Sequence, residues 1–223
     1  MAEPSPNPLR IDIVSDVVCP WCVIGWRQLD QALAATGIPA EVHWHPFELN
    51  PELAPEGEEL FAYLSRKYGI TPEQSRANRA RIAGLGAELG FSFAFDDGSR
   101  IRNSFRAHQL IHWAGLAGLA GRAHAAKQAL FAAHFTRGQD IHDLDVLADV
   151  AAAIGLDPAE ARAVLAEGRY AEAVREAETL WTGRGIQAVP AIVFAGRYLV
   201  SGAQGVENFG AILERLASDR TAQ

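Results

Sequence analysis

The chain has 223 residues, 49% of them hydrophobic and 21% charged, with a net charge of −7 and a pI near 5.5. That is long enough to bury a sizeable core, as one large domain or two small ones. The acidic balance argues against nucleic acid and anionic membrane surfaces as partners, and no apolar run reaches bilayer-spanning length.

The opening MAEPSPNPLR lacks the charged-then-apolar layout of a secretory signal and reads as a short disordered lead. Ile11, Ile13, Val14, Val17 and Val18 then make the β-branched run of a buried strand. A turn follows with Cys19-Pro20-Trp21-Cys22, and behind it Val23, Ile24, Trp26, Leu29, Leu33 and Ala34 recur at helical spacing. Pro20 suits a first helical turn, and Gly37 with Pro39 supplies the stop. Ala40 to Phe47 sets Val42 and Trp44 against His43 and His45 and predicts a second strand. From Pro51 to Gly57 proline and acid mark a boundary.

The next stretch is mostly helical. Leu60, Phe61 and Leu64 share one face of a helix over 58–68, and Thr71-Pro72-Glu73-Gln74 starts another that runs to about Leu89. Phe91, Phe93 and Phe95 alternate before an Asp97-Gly98 turn, which predicts a short extended segment. Helical periodicity returns over 103–120, 121–137, 143–154, the capped start at Asp157-Pro158, and 170–182. Ala188 to Phe194 and Tyr198 to Val200 then read as a hairpin about a glycine turn, with a last amphipathic helix over 206–217. A βαβ beginning and a ββα end thus flank a helical block. The class is α/β, with residues 1–55 and 185–223 forming one domain and 56–184 an all-helical inserted domain.

Both cysteines of the chain lie in one C-x-x-C. Cys19 falls where the helix begins, facing unpaired N–H groups and the positive end of the helix dipole, which favour thiolate over thiol. Cys22 lies about one turn on, within reach of a mixed disulfide formed on Cys19. Strand, C-x-x-C, helix is the arrangement of a thiol–disulfide exchange site. Three other readings stand beside it. A structural bridge would close too short a loop to constrain the unfolded chain much. A zinc site could draw on Cys19, Cys22, His43 and His45, although the H-x-H half does not fit the usual finger spacing. Two inert buried thiols are the third. The N-terminal Met1 and the lack of other cysteines suit a cytoplasmic protein, in which a dithiol stays reduced.

Four motifs in order resemble the FrnE-type cytoplasmic branch of the DsbA-like thioredoxin-fold oxidoreductases. They are Ser15-Asp16-Val17-Val18-Cys19-Pro20-Trp21-Cys22, Phe47-Glu48-Leu49-Asn50-Pro51, Asn103-Ser104-Phe105-Arg106-Ala107-His108, and Val189-Pro190 with Ser201-Gly202-Ala203-Gln204. The resemblance spans nearly the whole chain. It implies a thioredoxin-like fold with a large helical insertion, catalysis by Cys19 and Cys22, and a cis Pro190 packed beside them. The edge at Val189 is expected to pair with an extended disulfide-bearing substrate. Trp21, between the cysteines, is expected at an open site in contact with substrate, and Pro20 shapes it.

Asn103 most simply caps the following helix. His108 is either a satisfied core histidine or a wall of the cleft, and Gln204 is expected to line that cleft. The resemblance calls for no metal, flavin or other cofactor; glutathione is an admissible co-substrate, and a homodimer is compatible with the sequence. One departure stands out. Thioredoxin and DsbA carry an acidic residue six positions before the first cysteine, where this chain has Ile13. Asp12 belongs to the other strand face, and Asp16 lies closer to the turn. The related 2-hydroxychromene-2-carboxylate isomerases and kappa-class glutathione transferases offer an alternative, glutathione-dependent function. They typically place serine at the position of Cys19 and do not need Cys22.

Overall fold

The computed structural model describes residues 8–116 and 121–221. The predicted N-terminal lead up to residue 7 and the expected end of the helix over 103–120 fall outside the described residues. The frame of the molecule is β1 (Leu9–Ser15), α1 (Pro20–Thr36), β2 (Ala40–Pro46), and later β5 (Ala191–Phe194), β6 (Tyr198–Ser201) and α9 (Val206–Thr221). Its sheet runs in the order β2-β1-β5-β6, with β1 parallel to β2 and antiparallel to β5. β1 is central, which explains why Ile11, Ile13 and Val14 are all buried.

α1 starts where its chemistry allows. Cys19 is the N-cap and Pro20 the first helical residue, and Gly37 ends the helix at φ 65° with its N–H on the Leu33 carbonyl. The β5–β6 turn spans Ala195, Gly196 and Arg197; Ala195 and Gly196 sit at positive φ, and the Arg197 N–H closes the turn on the Phe194 carbonyl at 3.1 Å. α1 and α9 cover one face of the sheet, where Ile13, Trp26, Leu29, Phe194, Phe209 and Leu213 close a small core.

Between β2 and β5 lie α2 (Leu60–Tyr68), α3 (Pro72–Glu88), α4 (Phe105–Leu116), α5 (Arg122–Phe131), α6 (Leu144–Ala153), α7 (Pro158–Ala166) and α8 (Ala171–Gly183). Local signals set several starts. Thr71 and Gln74 form a complete capping box, and Asp143 and Asp157 each accept from two N–H groups of the first turn.

Two features depart from the expected all-helical pattern. Glu58–Glu59 pairs antiparallel with Arg100–Ile101 as short strands β3 and β4, so α2 begins at Leu60 with Glu59 as its cap. The helix expected over 121–137 also changes to a π turn at Ala132–Thr136. The largest core includes Val17, Val18, Cys19, Cys22 and Val23 together with Leu110, Leu130, Phe131 and Leu147. The C-x-x-C is therefore packed directly against the helices.

Candidate active site

The two cysteines are free thiols and both are buried. Cys19 closes part of the wall of an open cavity of about 830 Å³, beside Pro20, Trp21, Glu48, Tyr63 and Val189. Cys22 is one turn deeper and does not reach that wall. Cys19 Sγ does not cap the helix. It turns to the Val189 carbonyl at 3.8 Å and to the Cys22 sulfur.

That orientation puts both thiols under the influence of more than the helix end. The hydrogen bond with Cys22 and then burial push the Cys19 thiol well up, with Cys22's charge and Asp16 adding to the shift. Burial opposes ionisation of Cys22 as well. There the Cys19 thiol, the Lys127 ammonium and the Ser15 side outweigh it, and Cys22 falls below the ordinary thiol value. The two thiols share a hydrogen bond and titrate as one unit. The helix dipole alone favoured Cys19. Burial opposes ionisation of both sulfurs, and Lys127 favours it at Cys22.

Val189 is half-buried between exposed Gln187 and Ala188 and a buried Pro190, joined to it by a cis peptide bond. Pro190 stands behind the wall rather than in it. It lies so close to Gly25 of α1 that a Cβ there would meet its ring at 3.0 Å. Trp21 is half-buried and forms the cavity rim with the Arg81 guanidinium 5.1 Å over its ring.

The other expected site residues lie elsewhere. Asn103 caps α4, accepting from the Phe105 N–H at 3.0 Å, and ties the Leu53 carbonyl down at 2.8 Å. His108 is buried with Nε2 3.4 Å from Asp16 Oδ1, so it supports the C-x-x-C from behind and does not line the cavity. Gln204 is exposed and donates to the Ser201 carbonyl at 2.5 Å. The expectation that it lines the cleft is not met, because that local bond turns it away. His43 and His45 turn to Glu41 and Asp12 rather than toward the sulfurs.

Three charged groups were not singled out as site residues. Asp16 is fully buried, accepting from the Leu49 N–H at 2.7 Å and the Val18 N–H at 3.3 Å. Burial opposes its ionisation, but His108, the Leu49 N–H and Ser104 together hold the carboxyl below its usual range. Glu48 lies in the cavity wall, with one oxygen on Arg175 and the other, Oε1, buried without a partner. Burial and the neighbouring Glu178 raise it to about 7. Lys127 of α5 is 1% exposed, with Nζ 3.1 Å from the Ser15 carbonyl. A sequence signal for it existed: Lys127 shares a helical face with Ala123, Leu130 and Phe131, all packed into the core.

The family model for the DSBA-like thioredoxin domain matches residues 10–214. The chain belongs to this family. Among solved structures, a probable DsbA oxidoreductase from Streptomyces coelicolor is 33% identical with a TM-score of 0.83, covering 93% of this chain and 89% of that one. A 2-hydroxychromene-2-carboxylate isomerase shares the fold at 15% identity and a TM-score of 0.72, covering 96% of this chain and 98% of its own. The cytosolic disulfide reductase DsbM from Pseudomonas aeruginosa, solved with GSH, shares it at 22% identity and a TM-score of 0.64, covering 94% of this chain and all 100% of its own. Among the described residues of this DSBA-like chain, no helix is long and apolar enough to cross a membrane.

Proposed function

We propose that this DSBA-like protein is a dithiol–disulfide oxidoreductase that works through Cys19 and Cys22 on protein or small-molecule disulfides and thiols. One observation carries the reading: Cys19 is in the cavity wall while the Cys22 sulfur touches it from the buried side. In the reducing direction, the Cys19 sulfur attacks the substrate disulfide as a thiolate. A bond forms between Cys19 Sγ and one substrate sulfur, and the other substrate sulfur leaves with the electron pair. It takes the proton of the Cys22 thiol. The Cys22 thiolate then attacks Cys19 Sγ, forms the internal disulfide and expels the second substrate thiolate. Two electrons have moved to substrate with no metal or flavin, and the reverse sequence oxidises a dithiol.

Exposed Gln187 and Ala188, beside Val189, offer an edge on which an extended peptide can lie. DsbM, a cytosolic reductase solved with GSH, supports a cytoplasmic setting and glutathione as co-substrate. The fold does not by itself choose exchange over glutathione-dependent isomerisation, since the isomerase shares it. The second cysteine in contact with the first favours exchange, because an isomerase has no use for it.

The test uses insulin reduction and oxidation of reduced ribonuclease. Cys19→Ser is expected to abolish both, and Cys22→Ser to accumulate mixed disulfides with substrate. A fully active Cys19→Ser protein refutes the assignment. Turnover of an aromatic substrate that needs glutathione and ignores loss of Cys22 would select the isomerase instead.

A further inference from the structure

The chain carries a net charge of −7, yet the cavity beside Cys19 is basic. Five lysine and arginine residues stand in its wall against the acids Glu48 and Asp96. Two of the five are neutralised, since Arg79 pairs with Asp97 and Arg102 with Asp140, each at 2.7 Å. The other three, Lys67, Arg81 and Arg100, have no carboxylate at ion-pair distance among the described residues. Lys67 rests on the Leu49 carbonyl at 3.2 Å, Asn50 Oδ1 at 2.9 Å and the Tyr63 hydroxyl at 2.6 Å. Arg100 donates to the Glu56 and Gly57 carbonyls at 3.2 and 3.1 Å. The acids of β3 are already taken, Glu58 by Arg66 and Glu59 by the first turn of α2. Neutral oxygens hold a cation in place without cancelling its charge, so a positive field remains in the cavity.

Arg81 differs from the other two. It is exposed, and among the described residues its guanidinium meets the Trp21 ring, 5.1 Å away, and no hydrogen-bond acceptor. An arginine laid on an aromatic face keeps its N–H edge free for a carboxylate. Trp21 lies between the two cysteines, so that edge stands at the rim past which a substrate sulfur comes to Cys19.

We infer that the cavity selects small disulfides that carry carboxylates near the sulfur, and that Arg81 is the residue that reads this charge. The inference rests on the exchange reading above and names its substrate class. A cavity of about 830 Å³ faced by Trp21, Tyr63 and Phe95 has the size and the apolar walls of a small-molecule site. The chemistry of the exchange is unaltered: the substrate disulfide is reduced to two thiols as Cys19 and Cys22 are oxidised to one disulfide. What the basic wall adds is a higher local concentration of acidic substrate and a salt-sensitive rate.

The test mixes the reduced full chain, in single turnover, with dithiodipropionate, hydroxyethyl disulfide and cystamine. These aliphatic disulfides are dianionic, neutral and dicationic, and their rates with dithiothreitol correct for intrinsic reactivity. The corrected rate is expected to be about tenfold higher for the dianion than for the neutral disulfide at low salt, and lowest for the dication. The gap is expected to close as salt is added. Arg81→Gln, a change at an exposed position, is expected to slow the dianion on the order of threefold and leave the neutral disulfide unchanged. Arg81→Lys should keep part of the preference. Equal corrected rates for the three disulfides, or a dianion rate indifferent to salt, would overturn the inference. An Arg81→Gln protein that slows dianion and neutral disulfide alike would show that Arg81 only steadies Trp21, and would overturn its role. A reduced chain that reacts with none of the three would instead sink the exchange reading.

Discussion

Asp16 and His108 meet in the interior, Oδ1 to Nε2 at 3.4 Å, and tie the turn before the cysteines to helix α4. Neither side chain is accessible to solvent to any useful degree. Removing one member of a buried polar contact leaves the other without its partner, at a cost of about 1–3 kcal/mol. Urea unfolding at pH 7 is therefore expected to show a loss of that order for Asp16→Asn and for His108→Ala, with the double variant well short of the sum. The carboxyl's folded pKa lies below its unfolded value of 3.8. Its contribution is thus complete above about pH 4 and fades as the pH falls through the depressed value, so acid unfolding of Asp16→Asn should be less steep. Equal stability of Asp16→Asn and the unaltered protein at pH 7 would contradict the role given to this contact.

Glu48 predicts the opposite pH trend. Its folded pKa is raised from 4.5 to about 7, so between these values the native state holds a proton that the unfolded chain has lost. Stability therefore falls as pH rises from about 5 to 7, by up to about 3 kcal/mol at the conversion of one pKa unit to 1.36 kcal/mol. Glu48→Gln is expected to flatten this slope and to be the more stable protein at pH 8. Denaturant midpoints of both proteins at pH 5 and 8 measure it, and parallel pH profiles would show that Glu48 is not the group responsible.

Asn103 and Gln204 separate support from chemistry. Asn103 caps α4 and holds Leu53, so Asn103→Ala is expected to cost about 1–2 kcal/mol by thermal or urea unfolding. Neither residue reaches the cavity wall. Exchange rates per folded molecule should be unchanged in Asn103→Ala and Gln204→Ala, and a fall in kcat with intact stability would return either residue to the active site.

Much of this molecule was legible from local pattern. The β-branched run into Cys19, Pro20 at the first helical position, the Gly37 stop, the capping box at Thr71 and the Ala195-Gly196 turn are each decided by neighbours within a few residues. The β3–β4 pairing was not legible, because two-residue strands carry no periodicity and find each other across 41 positions, as Glu59 and Arg100 do. The same limit applied to Gln204, whose local bond to the Ser201 carbonyl could not be told from a place in the cleft.

The sequence alone determined that two thiols would stand at the start of a helix behind a central strand, since spacing and helix-end chemistry are local. How readily the two thiols ionise was decided only by the tertiary structure. The helix end favoured Cys19, but burial acts on both sulfurs and Lys127 reaches the turn through a contact spanning 112 residues. A buried thiol ionises according to the charges and the water around it, and these are known only once the helices have packed against the turn.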